Sequence, residues 1–393
     1  MPLVATAADW PQFRGPARDG LSAESDLLTG WTEAGPAEVW RIPIGVGYSG
    51  MAVVGDRLYT MDSEAASEFA VCLDSTTGHE IWRTEIGPLF KSYFGNGPRT
   101  TPTVDGDRVY VLGGRGRLTA LEAASGKVLW SVDYVDDFGA AMPEYGFSGS
   151  ALVLGNRLIV QPGGSDERAI AALDKVTGDL LWAAQDDDAG YSSPLLVEIG
   201  GMRQLVFMTP RHVLGIAPEE GVILWRHTFA PDADIKPAMP VFVAPDLLFF
   251  SASYDVGALA LRLTVDGDEV TATEAWRERV MRNHFNTAVA IDGYIYGFDN
   301  ATLKCIRAAT GEEMWAQRGG LGKGSLIYAD GHLIVLTESG KLLLVDAAPE
   351  AYREVAAAQV LSGRCWTSPT LADGRLYLRN REEMVCLDLR SAP

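Results

Sequence analysis

The tryptophans of this chain recur at a fixed kind of site, and that recurrence limits the folds open to it more than any other feature. Five segments place a glycine four residues ahead of a tryptophan: Gly78 and Trp82, Gly126 and Trp130, Gly178 and Trp182, Gly221 and Trp225, Gly311 and Trp315. Trp40 and Trp276 end two further stretches that lack the glycine. From Trp40 to Trp315 the successive intervals run from 39 to 52 residues. A unit of that length, made of short apolar runs between tight turns, is one four-stranded blade of a β-propeller.

Each unit repeats an internal order. A first hairpin turn is written as Gly55-Asp56, Gly106-Asp107, Gly155-Asn156, Asp292-Gly293, Asp330-Gly331 or Asp373-Gly374, residues that supply the positive φ of two-residue hairpins. An apolar strand ending in Leu-Asp or a relative follows, as in Cys72-Leu73-Asp74 and Cys386-Leu387-Asp388. The glycine before each tryptophan then falls in the next turn, which puts the tryptophan on the outer strand. Counting first strands gives eight units. The last stops after three strands, while residues 38–43, around Trp40, form an orphan outer strand ahead of the first. The fold class expected is therefore all-β, an eight-bladed propeller of four-stranded antiparallel blades. Residues 1–37 form a leader or strap and 38–393 the propeller, with strand 38–43 completing the blade formed by 366–390. That pairing removes an exposed sheet edge.

Trp40, Trp82, Trp130, Trp182, Trp225, Trp276 and Trp315 are expected to act as structural pins, each wedged between its own blade and the next. Burying an indole is worth several kcal/mol at roughly 25 cal/mol per Å². Unit seven carries Tyr352 where a tryptophan is expected, and Tyr352 is the candidate substitute. Cys72, Cys305 and Cys386 share one repeat position, which reads as small core filling rather than a disulfide framework; the fourth cysteine is Cys365.

The formal net charge is −19, a field that repels phosphate backbones and argues against nucleic acid. No stretch is apolar and long enough to span a membrane. Ala5-Thr6-Ala7 has the small-x-small pattern of a trimmed export signal.

The Leu-Asp…Thr-Gly-x-x-x-Trp units resemble the repeats of pyrroloquinoline-quinone (PQQ) dehydrogenases and their non-catalytic relatives of the BamB type. Asp9-Trp10-Pro11-Gln12-Phe13-Arg14-Gly15-Pro16 is also similar to a leader found before such propellers in exported bacterial proteins. The resemblance covers residues 38 to 390. It implies an extracytoplasmic, periplasmic setting. In catalytic members it implies PQQ on the propeller axis with calcium and an Asp base, often under a vicinal Cys-Cys disulfide. No two cysteines are adjacent here, and no calcium set maps residue by residue. In BamB-type members it implies a scaffold whose loops meet a partner protein.

The residues leading into each first strand are the place to look for a site, because they line one mouth of the axial funnel. They include Tyr48, Ser49, Arg99, Thr100, Phe147, Tyr191, His284, Asn286, Lys323 and Trp366. Converging aromatics with a few cations suit a planar or anionic small molecule. Plugging of the channel by the same residues is the plainer alternative. His284 is the candidate acid–base residue if chemistry occurs there. Three acidic groups in links between blades (Asp186-Asp187-Asp188, Asp133 with Asp136-Asp137, and Asp232 with Asp234) are weaker candidates for calcium. The reading preferred is a monomeric, non-catalytic binding or scaffold propeller, its small-molecule or protein partner held at the funnel mouth, without a resident metal. The alternative is an enzyme using the funnel, either a PQQ-dependent alcohol or sugar dehydrogenase or another small-molecule reaction.

Overall fold

The computed structural model describes residues 9–229 and 236–391. Ala5-Thr6-Ala7, Asp232 and Asp234 lie outside the described residues. Eight four-stranded antiparallel sheets form an eight-bladed propeller. Blade 1 spans Ala52–Pro88, blade 2 Thr103–Asp133, blade 3 Leu152–Ala184 and blade 4 Leu195–Thr228; blades 5, 6 and 7 span Val241–Glu278, Val289–Gln317 and Ser325–Gln359. Blade 8 is built from Thr370–Ala372, Arg375–Arg379 and Glu383–Asp388, with Ala37–Pro43 as its outermost strand. First strands of neighbouring blades touch one another, so they form the inner ring. Among the described residues one short helix, Tyr134–Phe138, interrupts the β structure, and no helix is long and apolar enough to cross a membrane.

Every outer strand carries a bulge one residue before the tryptophan position. In blade 1 Leu73 faces Glu80 and Cys72 faces Trp82, so Ile81 is extra and its side chain is exposed. The extra residue turns the indole toward the following blade. Trp82 Nε1 donates to Ala123 O of blade 2 at 3.0 Å, Trp40 Nε1 to Ser75 O of blade 1 at 3.0 Å and Trp276 Nε1 to Ala308 O of blade 6 at 2.8 Å. The indole lies over the glycine of the next blade's turn: a Cβ on Gly126 would stand 2.5 Å from the Trp82 ring, and one on Gly178 2.8 Å from Trp130. Those glycines also have φ of 71° and 83°, so close approach and left-handed backbone both require glycine. Across the strands Cys72, Cys305 and Cys386 each stand between the blade's tryptophan and a second-strand tyrosine, Tyr59, Tyr296 or Tyr377. All four cysteines are buried free thiols.

Two blades depart from the expected pattern. In blade 7 Leu344 faces Ala356 across the bulge, so Ala356, not Tyr352, occupies the tryptophan position. Tyr352 instead receives Trp315 of blade 6, ring against ring at 5.6 Å. The reason lies in the ring closure. Outside blade 4 each tryptophan lies on the turn joining strands three and four of the next blade, but in blade 8 those strands come from opposite chain ends and no such turn exists. The leader contributes Leu27 and Trp31 to the cluster that contains Ala356 and Ala358. In blade 4 Trp225 Nε1 donates to Gln204 of its own blade at 2.6 Å, because blade 5 replaces the glycine turn with a long hairpin through Asp266 and Glu269.

The link from the closing strand into blade 1 is held by Arg379, fully buried between blades 8 and 1. Its guanidinium donates to Met61 O at 3.0 Å and Gly45 O at 3.1 Å, and reaches the Thr60 hydroxyl at 3.3 Å. Burial pulls its pKa down to about 10, leaving it charged at neutral pH.

Candidate binding site: a blind aromatic cup on the axis

The leader closes one end of the channel. Trp10 pairs with Val53 of the first strand of blade 1, Val104 N of blade 2 donates to Pro11 O, and Leu21 bridges to Tyr328 of blade 7. These contacts lie toward the turn end of the first strands, so the leader forms a floor. Two buried arginines tie it to opposite parts of the ring. Arg18 donates to Ala151 O and Ser150 O of blade 3 at 2.8 and 2.9 Å, and Arg14 to Thr287 O and Ala288 O of blade 6 at 3.0 and 2.8 Å. Burial lowers their pKa values to about 9 and about 10 respectively. Innermost strands have carbonyls that no further strand can reach, and each guanidinium supplies donors to a pair of them.

Above this floor is a cavity of about 210 Å³. Tyr48, Arg99, Tyr191, His284, Asn286, Lys323 and Trp366 of the expected mouth all line it, joined by Phe94, Tyr145, Tyr254 and Phe285. The channel is therefore plugged at the leader end and open at the mouth. Three expected residues do not face it. Ser49 Oγ donates to Thr100 O at 2.7 Å and Thr100 Oγ1 to Leu112 O at 2.8 Å, so both are buried in seams of the ring. Phe147 is buried in the core between blades 2 and 3, edge-on to Tyr134 at 5.4 Å. Small hydroxyl residues recur at these positions because they lace one blade to the next: Ser150 N donates to Ser193 Oγ at 2.8 Å and Met239 N to Thr287 Oγ1 at 2.9 Å.

The wall is an aromatic collar. Tyr48 stacks on Trp366 at 5.5 Å, Trp366 meets Phe285 at 4.9 Å, Phe285 meets His284 at 5.1 Å, and His284 meets Tyr254 at 5.1 Å. A second arc runs Phe94, Tyr145, Tyr191, with centroids 5.5 and 5.8 Å apart. The Tyr48 hydroxyl joins the arcs by donating to Phe94 O at 2.7 Å.

Arg14, Arg99 and Lys323 bring positive charge to the lining, and none of the described lining residues is Asp or Glu. Arg99 lies over the Tyr48 ring at 5.7 Å and the Phe90 ring at 4.8 Å, and donates to Gly95 O at 2.6 Å. Burial moves its pKa down from the ordinary arginine value. Lys323 Nζ has no hydrogen bond or ion pair among the described residues; burial lowers its pKa, so it gains from an anion. Glu338 sits behind the wall, accepting Trp366 Nε1 at 2.8 Å and the Lys323 backbone N–H at 3.0 Å. His284 is held neutral at ordinary pH: burial, then the Lys323 charge, push its pKa down to about 4. Its Nε2 shares a 2.7 Å hydrogen bond with the Tyr254 hydroxyl. The sequence reading missed Arg14 and the leader's part in the site, although Arg14 stands in the quoted leader motif.

Asp187 and Asp133 of the acidic links bind protein groups in the fold. Asp187 accepts from His212 Nδ1 at 2.8 Å and from the Thr209 hydroxyl, while Asp133 caps the helix by accepting from Val135 N and Asp136 N. No cluster of metal-ligating side chains occurs among the described residues.

An eight-bladed propeller of tryptophan-marked repeats around an axial cup defines a PQQ-like β-propeller. The chain belongs to the family described as outer membrane protein assembly factor BamB, whose model matches residues 24–133, 66–317 and 299–391. The outer membrane protein assembly factor BamB of Moranella endobia (strain PCIT) is 25% identical over 256 residues, covering 63% of this chain and 64% of that protein. Among solved structures, BamB from Moraxella catarrhalis superposes with a TM-score of 0.63 at 15% identity, over 90% of this chain and 99% of that one. The quinohemoprotein alcohol dehydrogenase from Comamonas testosteroni gives 0.67 at 12% identity, over 98% and 81%. At those identities the two structures speak to the fold alone.

Proposed function

We propose that this protein is a non-catalytic, extracytoplasmic binding propeller that holds an anionic partner bearing an apolar group in the cup at its axial mouth. The observation that carries the reading is the lining: among the described residues it has aromatic walls, cationic side chains and no carboxylate, in a chain whose net charge is −19. A site depleted of negative charge within so acidic a protein favours anions and disfavours cations. Membership of a family named for an assembly factor supports a binding role, and the outer membrane in that name supports a location outside the cytoplasm.

The donor set does not suit a calcium–quinone centre. Calcium takes 6–8 oxygen ligands, mostly carboxylates and carbonyls, and the described lining residues offer one side-chain amide, Asn286, and no Asp or Glu. The cavity is also smaller than the roughly 300–1,000 Å³ of sites that enclose a drug-sized ligand.

Calorimetric titration with indole-3-acetate tests the reading. Saturable binding is expected, weakened by salt and reduced about tenfold by Lys323→Ala, the size of one lost charge-assisted hydrogen bond. Absence of saturable binding would count against the cup as an anion site. Alcohol-dependent dye reduction after adding PQQ and calcium would establish the enzyme alternative instead.

A further inference from the structure

We infer that the occupant of the cup is the C-terminal end of a polypeptide whose last residue is aromatic. The inference rests on the cup being a binding site and specifies what fills it. Three features of the molecule lead there.

The first is size set against surroundings. The cavity, about 210 Å³, accommodates a single large side chain and its backbone rather than a drug-sized molecule. Yet the mouth is ringed by aromatic surface well beyond what such a fragment could cover: Tyr93 is 97% exposed, Tyr254 59% and Phe94 45%. Large apolar groups clustered at a rim mark a surface that something extended covers. Tyr93 and Phe94 are held edge to face at 5.4 Å, and Arg364 donates to Phe94 O at 3.0 Å, so this part of the rim is anchored to the link before blade 8. A fragment-sized cup inside a wide aromatic rim suits a chain that projects one residue inward and lays the preceding ones over the rim.

The second is that the floor is closed. The leader, pinned by Arg14 and Arg18, blocks passage through the channel. A chain entering the mouth must stop or double back, and a terminus does the former without bending.

The third is the pairing of demands. The collar asks for a flat apolar group, and the Lys323 ammonium, which makes no hydrogen bond or ion pair among the described residues, asks with the Arg99 guanidinium for an anion in the same cup. In an unmodified polypeptide only the last residue carries an aromatic side chain and a carboxylate on one Cα. Recognition of a terminal carboxylate together with its side chain is an established mode of peptide capture.

The test uses the whole chain and a fluorescein-labelled ten-residue peptide ending in phenylalanine, followed by polarisation. Three companions differ at one feature: the C-terminal amide, a last residue changed to alanine, and one added C-terminal glycine. Binding by the parent is expected, with a loss of about tenfold or more for each companion and for the Lys323→Met variant. Lys323→Arg, which keeps the charge, is expected to retain most of the affinity, and circular dichroism confirms that both variants fold. Equal binding of acid and amide would overturn the inference. So would binding of indole-3-acetate without binding of any peptide, an outcome that leaves the anion-binding cup standing. Failure of both the peptide and indole-3-acetate would remove the two readings together.

Discussion

At the scale of single residues, the stability of the ring depends on pairs that cross blade boundaries. Trp82 and Gly126 form such a pair: the indole lies on the glycine, and its Nε1 donates to Ala123 O at 3.0 Å. Trp82→Ala removes a buried indole and leaves that carbonyl only the Tyr59 hydroxyl at 3.3 Å, and is expected to cost about 3–5 kcal/mol in denaturant unfolding. Gly126→Ala places a methyl against the ring at a φ of 71°, and is expected to cost more than about 1 kcal/mol. The double variant should lose less than the sum, because the clash disappears with the indole while the backbone strain stays. Strict additivity would show that the two residues do not interact. A comparable substitution at Trp225 should behave differently, since its Nε1 is bonded within blade 4.

At the scale of elements, the leader is the segment whose role least resembles its sequence. It has few strand-like contacts, yet it carries two of the largest fully enclosed polar side chains. Arg18 is 2% exposed and binds two inward carbonyls of blade 3. Arg18→Met keeps length and apolar stem but takes the guanidinium donor from Ser150 O and leaves Ala151 O only the Thr103 hydroxyl at 2.7 Å. A loss of about 1–3 kcal/mol is expected from unsatisfied buried acceptors, read as a lower unfolding midpoint. An unchanged midpoint would mean that water replaces the guanidinium and that the floor is not sealed. Arginine suits this position better than lysine because its fork reaches two carbonyls at once.

At the scale of the whole molecule, closure joins residues more than 340 positions apart, as Ala37 faces Asp388. A chain shortened to begin at Ile44 would expose the edge of Glu383–Asp388 and lose the floor as well. Such an edge offers unpaired N–H and C=O groups to other chains. Size-exclusion chromatography is expected to show concentration-dependent oligomers for the shortened protein; a clean monomer with an unaltered melting profile would show that the ring closes without that strand. Closure also explains why Ala356 stands where other blades have tryptophan: blade 8 has no continuous turn to receive an indole.

The sequence by itself determined the repeat, the number of blades and the strand that closes the ring, because tryptophan spacing and Gly-Asp turns are local signals. Each blade solves the same problem of alternation, turn and bulge within its own residues. The lead-in segments were legible as the lining of the mouth for the same reason: they occupy one repeat position, and Tyr48, Arg99, Tyr191, His284, Asn286, Lys323 and Trp366 all line the cup. Direction was not legible. Ser49, Thr100 and Phe147 share those segments but turn into seams or core, since neighbouring blades, not the local sequence, decide which side chain faces the axis. Only the tertiary structure showed that the leader floors the channel, that Tyr352 receives an indole instead of replacing one, and that the described lining residues include no carboxylate. Each depends on contacts between residues far apart in the chain, where periodicity carries no information.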